Sequence, residues 1–134
     1  MKKAVIYARV RDSYNSQEVI KRQKTICQQL ANEKSLTIVG YYIDIEKLGT
    51  PTNRVALSQM IDDSLTATWD TVITYSSDRI CRNIKQFMII EETLEKRGKS
   101  LLIVTSPDHQ FYRKLIRELN RIKNQIRKKE KEIK

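Results

Sequence analysis

"DTVITYSSDRICRN", residues 70–83, changes character within a few residues. Its first part, "DTVITYSS" (70–77), is β-branched and apolar and reads as a strand. Asn83 then has the look of a helix N-cap, with Gln86 three residues on. The helix that follows is expected to bury Ile84, Phe87, Met88, Ile90 and Leu94 and to stop at Gly98, after Lys96 and Arg97. A strand feeding a helix through a short polar junction is half of a β-α-β unit, so the rest of the chain should repeat the alternation.

It does so in both directions. Upstream, "KAVIYARV" (3–10) reads as a buried strand because its apolar positions run together instead of alternating. A helix is expected from about Ser16, with Val19, Ile20, Gln23, Ile26, Cys27, Leu30 and Ala31 on one stripe. "LTIVGYYID" (36–44) is a second β-rich run. A loop with Gly49 and Pro51 then leads to a helix whose inner face is Leu57, Met60, Ile61 and Leu65. Downstream, "SLLIVTS" (100–106) is a fourth strand, closed by Pro107. The expectation is an α/β domain, a mostly parallel sheet flanked by helices, over residues 1–108.

Residues 109–134 differ in kind. Leu115, Leu119, Ile122 and Ile126 follow a 4-3-4 spacing and Ile133 returns one heptad later, with Lys129 interrupting the seam. So narrow a stripe suits a partner helix or the edge of the domain; a solvated lysine-rich helix that frays toward residue 134 is the competing reading. Of the formal net charge of +10, residues 113–134 carry +7, ten Lys/Arg against three Glu. That excess points to a polyanion partner, most plausibly nucleic acid. Arg113, Lys114, Arg117, Arg121, Lys123, Arg127 and Lys128 are the candidate DNA contacts.

The isolated cysteines 27 and 81, with neither a signal segment nor a run of about 18 apolar residues, read as a reduced, cytoplasmic protein with no membrane span. One histidine and no clustered cysteines leave no expectation of a structural metal, and no cofactor is implied. With only three glycines the chain has no glycine-rich phosphate loop, which ranks nucleotide-dependent chemistry last.

In open parallel sheets ligands collect at the carboxyl ends of the strands. Arg9 and Arg11 end the first strand, Asp44 the second, and Ser76, Ser77, Asp78 and Arg79 the third. Arg79 and Arg82 precede a helix N-terminus, where the macrodipole disfavours a cation by roughly 0.3–1 kcal/mol. Either an anion offsets them there, or they are surface charges paired to Asp78.

The spacing D-R-x-x-R, preceded by Y-x-R-V in the first strand, resembles the catalytic domain of the serine recombinases, the resolvase/invertase and large serine integrase group. The likeness spans about residues 3–106, through "VIYARV", Gln23 in "IKRQ", "YYID" with Asp44, the Gly49 turn, Arg54 in "NRVALSQM", "DTVITYSSDRICRN" and "SLLIVTS". The resemblance implies DNA strand exchange in which a serine attacks a backbone phosphate and forms a phosphoserine link, without metal or external energy. By matched position, Arg9, Arg54, Arg79 and Arg82 would surround the phosphate, Asp78 would orient an arginine or move a proton, and Tyr7, Gln23 and Asp44 would support them. Preorganised guanidiniums suit the charge that such a phosphate gains.

The family pattern reads Tyr-x-Arg-x-Ser, and here it reads Tyr7-Ala8-Arg9-Val10-Arg11. Arginine stays protonated and has no lone pair to attack phosphorus, so in this register the chain is expected not to cleave by itself. Ser13 is the better rescue nucleophile, although two residues displace it by roughly 3.3 Å each; Ser16 reads as the helix N-cap and Ser13 as a turn residue. Leu48 and Ser77 also depart from the pattern, which has a serine before the mobile-loop glycine and a leucine before Asp-Arg. The segment after the last strand is short. Three readings follow: a serine-recombinase domain without its nucleophile, an active recombinase using Ser13, and a non-enzymatic DNA-binding or oligomerisation module. The expected partners are DNA and a second copy, or a full-length recombinase, through the C-terminal helix.

Overall fold

In the computed structural model, which describes residues 2–47 and 54–133, the apolar run at the N-terminus forms the central strand β1 (Lys3–Arg11). The other elements are α1 (Ser16–Glu33), β2 (Thr37–Glu46), α2 (Val55–Asp63), β3 (Thr71–Thr74), α3 (Ser77–Ile80), α4 (Ile84–Lys96), β4 (Ser100–Ile103) and α5 (His109–Ile133). The four strands pair in parallel in the order β2-β1-β3-β4. Leu48, Gly49 and Pro51 lie outside the described residues.

The continuous apolar run of β1 follows from its central place, because both of its faces are covered. Ala4 and Ile6 pack with Cys27 and Ala31 of α1 and with Ile73. Val5 and Tyr7 face the other way, into a core built from Leu57 and Met60 of α2, Phe87 and Leu94 of α4, and Trp69, Val72, Ile80, Leu101 and Ile103. Positions 9 and 11 share the second face by the two-residue period of a strand.

Several expectations are corrected. Leu65 lies beyond the end of α2 and is 69% exposed; the buried residue there is Ser64. Ile84 and Met88 are exposed, as is Ile89, because the inward stripe of α4 is Phe87, Glu91 and Leu94, with Ile90 half-buried against the same core. The third strand ends at Thr74, and Ser77 opens the short helix α3. Ser16 is the first residue of α1, after Asn15, and no side chain caps that helix. At α4 the expectation holds: the Asn83 side chain accepts from the Gln86 amide at 3.1 Å. Gly98 ends the turn with φ of 75°, a conformation glycine adopts without penalty.

Cys27 is fully buried in this packing, and burial pushes its thiol up to about 12. Thiolate reagents should therefore label the half-exposed Cys81 and reach Cys27 at least about a hundredfold more slowly in the folded protein, the two becoming equal in denaturant. Timed labelling with peptide mapping checks this.

Candidate functional site

Parallel strands bring their carboxyl ends together, and here those ends assemble a polar cluster on the α2–α4 side of the sheet. Its base is buried. Tyr7, fully enclosed, donates its hydroxyl to Asp44 Oδ2 at 2.7 Å and accepts from Arg54 at 2.7 Å. Burial first, and the Asp44 carboxylate second, raise the Tyr7 phenol well above its ordinary value, so the proton stays on tyrosine. Asp44 also accepts the amides of Ala56 at 2.8 Å and Leu57 at 3.1 Å. These are the second and third residues of α2, whose own N-cap position holds Arg54 without a capping side chain. Asp44 thus caps α2 from the neighbouring strand β2, which runs on to Glu46 instead of ending at Asp44 as the sequence suggested.

Arg54 is fixed at the same time. Its guanidinium donates to the carbonyls of Arg79 and Ile80 in α3, which leaves it spanning β1 and α3. Arg79 returns a bond to the Arg9 carbonyl at 3.3 Å. Arg9 donates to the Asp78 carbonyl and pairs with Glu46 at 3.1 Å. Gln23, buried in α1, lies 3.5 Å from the Arg9 carbonyl through its amide nitrogen. Arg9, Arg54 and Arg79 therefore meet around the end of β1, with Tyr7, Gln23 and Asp44 beneath them. Within this cluster the Nε groups of Arg54 and Arg79 are buried without an acceptor, and Gln23 Oε1 without a donor.

Asp78 is at the exposed rim. The Ser76 hydroxyl bonded to it, with Arg79 and Arg9 adding their charge, holds its carboxyl below the usual carboxylate range. Its side chain accepts from Ser76, and the Arg9 guanidinium bonds its backbone carbonyl. Arg82 is exposed on the rim of a cleft of ≈ 370 Å³ between α3, α4 and the start of α5 and makes no ion pair among the described residues. Ser77 and Asp78 share that rim, and Phe87 and Ile103 line the cleft.

Arg11 is exposed, two residues beyond Arg9 on the same face, and makes no ion pair among the described residues. Its in-register neighbour Glu46 is given to Arg9. Ser13 lies in the turn after β1 and donates its hydroxyl to Asn15 Oδ1 at 2.7 Å; Ser16 is buried.

The α5 cations divide into two groups. Arg113 is internal, paired with Glu91 at 3.0 Å and Glu95 at 3.2 Å, and Arg117 pairs with Glu95 at 3.0 Å. Arg121 pairs with Glu118 on its own helix. Lys114, Lys123, Arg127 and Lys128 are exposed and make no ion pair among the described residues. These contacts match residues 109–117 with residues 87–95, so α5 runs alongside α4 in the same direction. Its far half passes the end of α4, away from the arginine cluster.

Sequence reasoning missed Glu46 and Glu91. Each had a signal: Glu46 sits two residues after Asp44, on the same face of a strand that runs longer than expected, and Glu91 shares the buried stripe of Phe87 and Leu94. Among the described residues no three His, Cys, Asp or Glu side chains are grouped to hold a metal ion, and no helix is long and apolar enough to cross a membrane.

A family model, that of the resolvase N-terminal domain, matches residues 4–133. The chain belongs to the resolvase family of serine recombinases. This resolvase domain is 30% identical to the C-terminal catalytic domain of ISC1926 TnpA, an IS607-like serine recombinase, with a TM-score of 0.65 over 76% of this chain and 70% of that one. The fold alone is shared with a resolvase family site-specific recombinase from Streptococcus pneumoniae, at 20% identity and a TM-score of 0.70, each chain covered in full. It is shared also with the N-terminal catalytic domain of TP901-1 integrase, at 19% identity and a TM-score of 0.69 over 93% of this chain and 98% of that one. No curated protein matches the sequence. Membership gives the resolvase domain a serine-recombinase-like role in site-specific recombination.

Proposed function

We propose that this resolvase domain holds DNA through its phosphates, at the carboxyl end of β1 and along the far half of α5, and that it does not cut DNA by itself. The observation that carries the reading is the pairing at the end of β1. Three guanidiniums, of Arg9, Arg54 and Arg79, meet there, while the register of the attacking hydroxyl holds Arg11. A phosphate oxygen is the acceptor that guanidiniums fit best. Arg11 adds a further exposed cation to that rim. Arg9 and Arg82 are assigned to the phosphate as well, and Asp78 to orienting the arginines.

Ser13 is a poor substitute nucleophile. Its hydroxyl is engaged with Asn15 in a turn beyond the strand, two residues from the register where attack occurs. The apolar stripe of α5 supports the partner assignment. The helix meets its own domain through His109, Gln110, Arg113 and Arg117, whereas Leu115, Leu119, Ile122 and Ile126 are each 45–56% exposed on the other side. That stripe is assigned to a second copy or to a full-length recombinase, packed by its heptad seam.

Binding of this kind is tolerant of sequence and steep in salt. The logarithm of the binding constant for duplex DNA should fall linearly with the logarithm of salt concentration. The double variant Arg127→Ala/Lys128→Ala should lower the slope by about 2, since each phosphate contact contributes about 0.9. Fluorescence anisotropy over a salt series measures it. Binding that ignores salt, or a slope that the double variant leaves unmoved, would refute the α5 half of the proposal.

A further inference from the structure

Glu91 is the most unusual charge in the fold. It occupies the inward stripe of α4 and is 4% exposed, where a buried carboxylate costs several kcal/mol unless it is paired. Both of its partners come from α5: His109 through Nε2, and Arg113 through Nε at 3.0 Å. Arg113 is itself only 12% exposed and reaches on to Glu95 and, at 3.7 Å, Glu92. The His109 ring stands edge-on to Phe87 at 6.0 Å between centroids.

The attachment of α5 is therefore polar. Helical spacing puts 109, 110, 113 and 117 on one side of α5 and the apolar residues on the opposite side. Apolar packing tolerates sliding, but a buried carboxylate shared by two donors one turn apart admits one register and one crossing angle. We propose that Glu91 is the positioning residue of α5: held between His109 and Arg113, it fixes the direction of the helix and which of its faces stays open. The proposal concerns the protein alone and does not depend on DNA being the ligand.

The test is amide hydrogen exchange on the full chain, with peptides from residues 109–117 compared with peptides from β1 and α1. In Glu91→Leu the 109–117 amides should exchange at least about tenfold faster while the β1 and α1 amides keep their rates. Glu91→Gln, which keeps the shape and one acceptor, should fall between that variant and the original chain. Glu95→Gln, at the outer edge of the same network, should change the 109–117 rates less than about twofold. Should Glu91→Leu fail to fold, Arg113→Leu removes the tether from the α5 side and must loosen the same residues. Unchanged protection of 109–117, equal loosening by Glu95→Gln, or loosening of β1 and α1 in step with α5 would each overturn the proposal.

Discussion

Arg11→Ser is expected to form a covalent protein–DNA adduct where the original chain forms none above background, a difference on the order of 10³-fold or more in the rate of linkage. The expectation rests on what the site already contains. Arg9, Arg54 and Arg79 are anchored around the end of β1 by backbone carbonyls, Tyr7 and Glu46, so the serine would enter a preorganised set of cations. A guanidinium at position 11 supplies charge but no nucleophile. The measurement uses supercoiled DNA, a detergent quench and detection of protein-linked DNA, with Arg11→Ala as the control. An adduct formed by the original chain would end the non-cutting proposal, and loss of that adduct in Ser13→Ala would name the nucleophile. No adduct from Arg11→Ser on DNA that the protein binds would mean that the arginines are arranged for holding only.

Asp44→Ala should be the most destabilising single change at the site, by about 3–4 kcal/mol, which lowers the melting temperature by about 10 °C in a chain of this size. One carboxylate satisfies the Tyr7 hydroxyl and two amides of α2, so its removal leaves three donors without partners, two of them buried and the Ala56 amide half-buried. Arg54 loses its footing as well, because it is tied to Asp44 through the Tyr7 hydroxyl. Asp44→Asn keeps one oxygen for the amides and should cost about half as much. Thermal and denaturant unfolding check both. A loss below about 1 kcal/mol for Asp44→Ala would show that water replaces the carboxylate at the start of α2.

The central part of the fold was readable because burial on both faces leaves a plain mark on a parallel strand. Ala4 to Ala8 carry no polar side chain except the Tyr7 hydroxyl, and the helix after them repeats its buried positions at 20, 23, 27 and 31. What failed was exposure. Leu65, Ile84 and Met88 are as apolar as their buried neighbours, and whether they are covered depends on which elements lie over them. The helix α3 escaped notice because four residues hold one turn, too little to show a period.

The same division runs through the candidate site. Motif order brought Tyr7, Arg9, Gln23, Asp44, Arg54, Asp78 and Arg79 to one end of the sheet. Side-chain spacing could not reveal that Arg9, Arg54 and Arg79 spend much of their donor capacity on carbonyls, because backbone acceptors leave no trace in residue type. Nor could the composition of α5 separate Arg113, which is consumed internally, from Lys123, Arg127 and Lys128, which are not.

The shared direction of α4 and α5 makes the C-terminal helix a lever. Its fulcrum is the docked stretch from His109 to Arg117, and the free arm from Glu118 to Ile133 is about 24 Å long at 1.5 Å per residue. A tilt of about 10° at the fulcrum carries the tip about 4 Å, more than twice the roughly 1.7 Å per charge along a DNA duplex. On the proposed reading, such a tilt at Glu91, His109 and Arg113 would bring Lys123, Arg127 and Lys128 to a different row of phosphates.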